Sequence, residues 1–175
     1  MFVLGIDPGL SRCGYGCVEG ISGGERAIVG GVITTPVDAP LPERLAELRR
    51  ELTEIVVDCA PQVVVVERVL FQTNARTAMS VGQASGIALL AAAEAGVPVV
   101  EYSSNEVKLA VAGYGSATKA QVQEMVARLL GLPEVPKPPD VADALALAIC
   151  HLASARLGVA LERQTARAAT SAGRS

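Results

Sequence analysis

Four acidic residues in this sequence stand where they could bind divalent cations together. Asp7 follows a short apolar segment, and Glu67 ends a run of four valines. Asp140 and Asp143, spaced three apart, share one face of a predicted helix that begins at Asp140. Oxygen ligands without histidine or cysteine favour Mg²⁺ or Mn²⁺ over zinc. The pattern therefore predicts a metal site made of carboxylates.

Clustered carboxylates have two physical outcomes. Like charges at close range raise one another's pKa values so that some protonate, or bound cations neutralise them. Two divalent cations roughly 3.5 to 4 Å apart can activate a water and stabilise the leaving oxygen of a phosphodiester. These four acids therefore predict hydrolytic phosphoryl transfer.

Each acid also has a purely structural interpretation when it is taken alone. Asp140 could be a helix-start residue favoured by the helix dipole, and Asp7 could be a turn aspartate. Glu67 is harder to explain in this way, because a charged residue ending a valine strand rarely lacks a partner. The four together favour a functional site.

The strands that must position these acids follow from the hydrophobic pattern. If the valine strand lies parallel to the first strand and beside it, Asp7 and Glu67 end neighbouring strands about 4.8 Å apart. Their side chains then meet at the carboxyl edge of the sheet, where open α/β sheets bind ligands. Five segments have the apolar or β-branched character of strands: residues 2–6, 14–18, 27–35, 63–66 and 97–102.

Helical periodicity and helix-start signals predict the remaining elements. An amphipathic helix begins near Leu41, and Thr118 with Gln121 has the spacing of a capping box. Further helices are predicted over residues 75–95, 105–111 and 140 to about 157. The segment 159–175 lacks apolar periodicity, so we expect one domain over residues 1–158 and a disordered tail over 159–175.

Length and composition limit the possible functions. A chain of 175 residues with 50% apolar residues can bury one sizeable core. Its longest apolar runs fall short of the roughly 18 residues of a membrane span. No secretory or transit signal is visible, so we expect a cytoplasmic protein without a membrane partner. The net charge of −3 argues against nucleic-acid binding only until two divalent cations are bound, which would make it +1.

Neither the cysteines nor the histidine add to the predicted site. The four cysteines show no C-x-x-C pairing, and we expect them to be reduced thiols in the core. His151 lies eleven residues beyond Asp140, which is roughly 16 Å along a helix. We therefore expect His151 to pack or to lie on the surface, outside the site.

Seven short motifs follow one another in a fixed order along residues 1 to about 155. The motifs are GIDPG at 5–9, GYG at 14–16, VERV at 66–69, GQA at 82–84, VK at 107–108, GSATKAQV at 115–122 and DVADALA at 140–146. The first motif alone is weak, since sugar kinases and Hsp70-like ATPases share a Gly-Ile-Asp-x-Gly start. The whole set is specific and resembles the RuvC family of Holliday junction resolvases, in the ribonuclease H-like superfamily.

The resemblance implies a fold and an activity. The fold is α/β and ribonuclease H-like, with a five-stranded mixed sheet of three antiparallel and then two parallel strands flanked by helices. The activity is that of a homodimer that binds four-way junction DNA and nicks two strands of like polarity, leaving 5′-phosphate and 3′-hydroxyl ends. The RuvA-RuvB branch-migration complex is the implied partner.

The resemblance also implies roles for individual residues. Two Mg²⁺ ions per subunit, or Mn²⁺ as the alternative, would be held by the residues that match the family's acids: Asp7, Glu67, Asp140 and Asp143. Some family members have histidine at the position of Asp140, so this site is expected to be all carboxylate. Lys108 and Lys119 match lysines near the scissile phosphate, where a point charge suits an oxyanion.

Three further residues match DNA-binding positions less closely. Arg76 lies where it could meet the DNA backbone. The family's stacking aromatic is displaced here by one residue, so either Phe71 stacks on a base or Leu70 acts as an apolar wedge. A packing role for Phe71 is the remaining alternative.

The helix over 75–95 is rich in small residues, and we expect it to pack against its twofold mate through Gly82, Ala84, Ser85, Gly86 and Ala88. The alternative is that these residues only pack the helix on its own sheet.

The alternatives to this function are an RNA nuclease of the YqgF type, an ATPase and a DNA-binding module without activity. The Lys119 segment, the short chain and the four acids respectively favour the resolvase over these three.

Overall fold

A computed structural model describes residues 1–68 and 75–172. Strands and helices alternate in the order that the hydrophobic pattern predicts, with three strands before the first helix. The elements are β1 (Phe2–Asp7), β2 (Arg12–Ile21), β3 (Gly24–Thr34), α1 (Leu41–Cys59), β4 (Val63–Glu67), α2 (Ala75–Glu94), β5 (Val99–Tyr102), α3 (Ser104–Ala112), α4 (Lys119–Leu129) and α5 (Pro139–Ala172).

The five strands form one mixed sheet in the order β3-β2-β1-β4-β5. β1 and β3 both pair with β2 in antiparallel fashion, whereas β4 is parallel to β1 and to β5. Ile6 is the register partner of Val66, so Asp7 and Glu67 follow side by side at the same edge of the sheet. The sheet that the sequence predicts is confirmed.

Side chains alternate between two cores because successive residues of a strand point to opposite faces. Val3 and Val65 face a core that is built with α3, α4 and α5. Leu4 and Val66 face a second core that is built with α1 and α2. The buried valines of β4 are thus covered on both sides, as a parallel interior strand requires.

Glycines on β1 and β2 let α5 approach the sheet closely. A Cβ added at Gly5 would lie 2.0 Å from the backbone oxygen of Ala144, and one at Gly14 would lie 2.2 Å from that of Asp140. No real side chain tolerates such contacts, so only glycine fits at both positions. The first turns of α5 are therefore held against the ends of β1 and β2.

The end of α5 differs from the sequence-based expectation. The sequence predicts a helix end near Leu157 and a disordered tail from residue 159, but the helix continues to Ala172. Leu157, Val159 and Leu161 are 62%, 48% and 54% exposed, so packing does not explain this extension. Alanine and arginine, which recur in this segment, are strong helix formers, and intrinsic propensity does not need apolar periodicity.

One segment of α5, Pro139–Glu162, is long and apolar enough to span a membrane by length and composition alone. Its apolar character has a simpler explanation in this fold. Leu145, Ile149 and Leu152 are buried between the sheet and the neighbouring helices. The segment is the central helix of the core.

Candidate active site

A cavity of about 260 Å³ opens at the carboxyl edge of the parallel strands, between the sheet and helices α3, α4 and α5. Three of the four predicted acids line it, together with both predicted lysines. Its lining residues are Asp7, Glu67, Ser104, Val107, Lys108, Lys119, Val122, Asp143, Ala146 and Leu147.

Asp7 and Glu67 are placed by the sheet. Burial is the largest cause that raises the pKa of Asp7 to about 7, and the nearby charges of Asp143 and Glu67 add to it. Burial and the charge of Asp143 also raise the pKa of Glu67, although Lys119 and Ser104 oppose that shift. Both carboxylates are therefore costly to ionise in the chain without cations.

Asp143 projects from α5 into the same cavity and is held by two residues of α4. The Lys119 Nζ lies 2.5 Å from its Oδ2, and the Gln123 Nε2 donates to its Oδ1 at 3.2 Å. The pKa of Lys119 is raised, because its hydrogen bond to Asp143 and the surrounding acids outweigh the opposing effect of desolvation. Lys119 thus brings positive charge into the acidic cluster.

Asp140 is turned toward the rim of the site instead of the cavity. Its Oδ2 accepts a hydrogen bond from the Arg12 Nη2 at 2.8 Å, and the Arg12 Nε lies 3.3 and 3.4 Å from its two oxygens. The hydrogen bond from Arg12 is the main cause that lowers the pKa of Asp140. This carboxylate is therefore stable as an anion.

Two capping boxes fix the helices that carry the basic residues. Thr118 and Gln121 cap the start of α4 next to Lys119, as the sequence predicts, and Ser103 and Glu106 cap α3 in the same way. Lys108 follows one turn later on α3 and lies in the cavity wall. The lysines are thus placed by rigid helix starts.

The acids are neighbours but do not form a ready cation cage. Within residues 1–68 and 75–172, no three acidic, histidine or cysteine side chains converge closely enough to hold a metal ion in this conformation. Of the four acids, Asp7, Glu67 and Asp143 line one cavity, whereas Asp140 faces Arg12. The donors still fit a hard cation. Asp7 is a buried acid whose pKa is raised by burial and by the charges of Asp143 and Glu67, and carboxylate oxygens are the ligands that such a cation prefers.

Three predicted DNA-binding residues have no described side chain. Leu70 and Phe71 lie outside the described residues, and for Arg76 the structure gives only its place in the first turn of α2. Conversely, the sequence analysis missed Arg12, Ser104 and Gln123. Gln123 lies one helical turn from Lys119, a spacing that could have indicated a shared face, but no sequence signal marked Arg12 or Ser104.

The histidine and the cysteines lie where the sequence predicts. His151 packs edge-on against Tyr102, and the Tyr102 hydroxyl lies 3.1 Å from the His151 Nδ1. Burial lowers the pKa of this histidine. All four cysteines are free thiols, and three of them are buried.

Comparison with known proteins decides the family. A family model described as "Crossover junction endodeoxyribonuclease RuvC" matches residues 3–151. The chain belongs to the RuvC family. The crossover junction endodeoxyribonuclease RuvC of Syntrophomonas wolfei is 46% identical over 168 residues, which cover 96% of this chain and 98% of that protein. The resemblance inferred from the motifs is thereby confirmed.

Solved RuvC structures confirm the ribonuclease H-like fold. The structure of Thermus thermophilus RuvC matches with a TM-score of 0.83 and 42% identity, covering 90% of this chain and 97% of that one. The same protein in complex with a Holliday junction substrate matches with a TM-score of 0.83 and 38% identity, at the same coverage. The chain is thus a RuvC-family nuclease, and divalent-metal dependence is a property of that family.

Proposed function

We propose that this chain resolves four-way DNA junctions by two symmetric, metal-dependent nicks that leave 5′-phosphate and 3′-hydroxyl ends. The observation that carries this proposal is the meeting of Asp7, Glu67 and Asp143 with two lysines in one cavity of a RuvC-type fold. The T. thermophilus relative supports it, because its structure includes a Holliday junction substrate.

Divalent cations would be held by Asp7, Glu67, Asp140 and Asp143, with two Mg²⁺ ions, or Mn²⁺, in each subunit. Such ions supply an activated water and charge for the leaving oxygen when bound. The raised pKa of Asp7 supports this assignment, since a buried acid among other acids gains most from a neighbouring cation. The proposed site contains oxygen donors only, which suits both ions.

The chain's own residues would position the DNA. Lys108 and Lys119 face the cavity and offer positive charge to the phosphate that is cut. Lys119 is paired with Asp143, so it is held at the site before DNA arrives. Arg76 at the start of α2 would contact the backbone, and either Leu70 or Phe71 would separate or stack on bases at the junction.

A homodimer would present two such sites to a substrate that is itself roughly twofold. The small residues of α2 divide into two sets in the structure. Ala84, Ser85 and Ala88 are buried against the chain's own core, so packing on the sheet accounts for them. Gly82 and Gly86 are exposed, and a Cβ at either would meet nothing within 4 Å. The second set is the face that we assign to the twofold mate.

Gly86→Leu tests the dimer without disturbing the monomer. It fills empty space in one chain but would overpack a close helix pair, which costs about 1 to 3 kcal/mol. We expect weaker dimerisation in sedimentation runs and fewer paired nicks. Gly158→Leu, at another open helical position, is the control. A folded, monomeric G86L variant that still makes paired nicks at the wild-type rate would rule out the dimer mechanism.

The substrate is tested with labelled four-way junction, linear duplex and RNA hairpin, each with and without Mg²⁺. We expect cutting of the junction only, only with the cation, and products that ligase seals. Preference for the RNA hairpin would instead support the YqgF-type alternative, and tight binding without any cutting would support a module without activity.

We further propose a cytoplasmic location, partnership with a RuvA-RuvB branch-migration complex, and a nuclease domain over residues 1–158.

A further inference from the structure

Arg12 is the residue that pairs with Asp140 at the rim of the cavity. It begins β2 and donates to both oxygens of Asp140, through its Nη2 at 2.8 Å and its Nε at 3.3 and 3.4 Å. No step of the proposed reaction uses this arginine, and the sequence analysis did not select it. Its side chain is 49% exposed, whereas that of Asp140 is 23% exposed.

The backbone of Asp140 already stands beside the catalytic edge. Gly14 is the register partner of Asp7, and the Cβ of Asp140 lies 3.1 Å from the position that a Cβ on Gly14 would take. Rotation about one side-chain bond of Asp140 can therefore carry its carboxylate away from Arg12 and toward Asp7. The helix does not have to move for this exchange.

We propose that Arg12 is a positioning residue that competes with a divalent cation for Asp140, and that on release its guanidinium binds a DNA backbone phosphate. The proposal rests on the function proposed above, since it takes Asp140 as a cation ligand and DNA as the substrate. It couples cation loading to DNA binding through one side chain.

The energetics suit an exchange. An ion pair with a half-exposed partner is weak, so a divalent cation can displace it. The planar fork of arginine matches a phosphate as well as a carboxylate, and the exposed position of Arg12 leaves it accessible to a strand that crosses the rim. While Arg12 remains on Asp140, its positive charge also repels an approaching cation.

Mn²⁺ titration of the full-length protein without DNA reads the competition directly, with free Mn²⁺ measured by electron paramagnetic resonance. We expect Arg12→Ala to bind the weaker-held ion about 5- to 10-fold more tightly than wild type. Arg12→Lys keeps the charge without the fork and should fall between them. Arg26→Ala removes a comparable arginine partner, that of Glu19, outside the site and should change nothing.

The sign of that change separates two roles. If Arg12 held Asp140 ready for the cation, its removal would weaken Mn²⁺ binding. Weaker or unchanged binding in Arg12→Ala, relative to Arg26→Ala, would overturn the proposal. Circular dichroism checks that both variants are folded, and Arg12→Lys provides the same comparison if Arg12→Ala does not fold.

The second half of the exchange is read from DNA binding with Ca²⁺ in place of Mg²⁺, after a gel shows that no cutting occurs. Ca²⁺ should tighten the binding of wild type to both junction and linear duplex more than it tightens that of Arg12→Ala. The salt dependence with Ca²⁺ should also fall by about one unit of slope in the variant. An equal Ca²⁺ enhancement in both proteins would overturn the phosphate contact.

These outcomes are separable from failure of the proposed function. If wild type cut no junction, resolution would be wrong, but the Mn²⁺ titration and the duplex binding would still report on Arg12. If wild type cut junctions and the Mn²⁺ affinity of Arg12→Ala did not rise, the proposal for Arg12 alone would be wrong.

Discussion

The acids on the sheet and the acids on the helix of this site differ in their surroundings. Asp7 and Glu67 end parallel strands, and burial raises the pKa of each. Asp140 and Asp143 lie on the first turns of α5, where Arg12 and Lys119 pair with them. The strand acids are thus buried without enough nearby positive charge to keep their pKa values low. Each helix acid, in contrast, already has a basic partner.

This difference explains how one fold can hold four acids without cations. Backbone pairing fixes the strand acids, so they cannot move apart to reduce their repulsion. The helix acids are instead paired with protein cations, Asp140 with Arg12 and Asp143 with Lys119. Cation binding would then satisfy the sheet acids first and draw on the helix acids by exchange.

Asp7→Asn should have the largest effect on junction cutting, and it tests the role of the acids at the strand ends. Asp7→Asn keeps the shape of the side chain but removes the buried charge that a cation needs. We expect junction cutting to fall by at least about 100-fold while junction binding persists, because the lysines remain. Gel assays of cutting and fluorescence anisotropy of binding measure both. Cutting at the wild-type rate would show that the site lies elsewhere.

The same variant should stabilise the protein when cations are absent. Between about pH 4 and pH 7 the folded chain keeps Asp7 protonated, whereas the unfolded chain does not, because the pKa of Asp7 is raised from 3.8 to about 7 on folding. The folded state binds more protons there, so its stability falls as pH rises through this window.

Asparagine carries no charge at any of these pH values, so Asp7→Asn escapes that loss. We expect it to be more stable than wild type by about 1 to 3 kcal/mol at pH 8 in EDTA, with the difference vanishing near pH 4. Urea unfolding at several pH values measures this. Excess Mg²⁺ should reverse the order, because it stabilises the chain that binds it. A constant difference across pH would contradict the buried-charge explanation.

Gly14→Ala should disturb the spacing between the two pairs of acids. The added Cβ would meet the Asp140 backbone oxygen at 2.2 Å, so α5 must shift away from the sheet. We expect a loss of about 1 to 3 kcal/mol in unfolding free energy and a decrease of about 10-fold or more in cutting. Gly158→Ala, at an open helical position outside the proposed dimer face, is the matched control and should not destabilise the chain.

Much of this arrangement was predictable from sequence, and the parts that were not have identifiable physical causes. The strands themselves follow from local patterns, whereas their order in the sheet, which brings Asp7 beside Glu67, was implied by the family resemblance. Asp140 was predicted to join the other acids, but its carboxylate pairs with Arg12 at the rim. Arg12 reaches it across a sequence separation of 128 residues, and local patterns carry no information about such a contact.

The expectation of a disordered tail differs from the structure for another reason. Absence of apolar periodicity shows that a segment has no face to bury, and we interpreted it as disorder. The helix nevertheless continues to Ala172, and its side chains at Leu157, Val159 and Leu161 are exposed, since alanine and arginine favour the helix intrinsically. Apolar periodicity indicates which face of a helix packs, but it does not determine where the helix ends.

Asp140→Asn should have the smallest effect, a change in stability that tests how the acids on the helix are held. Arg12 lowers the pKa of Asp140, so this pair contributes stability above the ordinary pKa of 3.8, and that stability is lost as pH falls through the lower, folded value. Asp140→Asn should therefore be less stable than wild type at pH 8 in EDTA, opposite in sign to Asp7→Asn. Because Arg12 is half-exposed, solvent screens the pair, and the loss should be smaller than the gain expected for Asp7→Asn. The difference should begin to shrink below the ordinary pKa of 3.8 and disappear only below the lowered, folded pKa of Asp140, where wild type loses the same interaction. Urea unfolding of both variants in one buffer series compares them directly. If the free energy of unfolding changed in the same direction in both, the helix acids and the sheet acids would not be held differently.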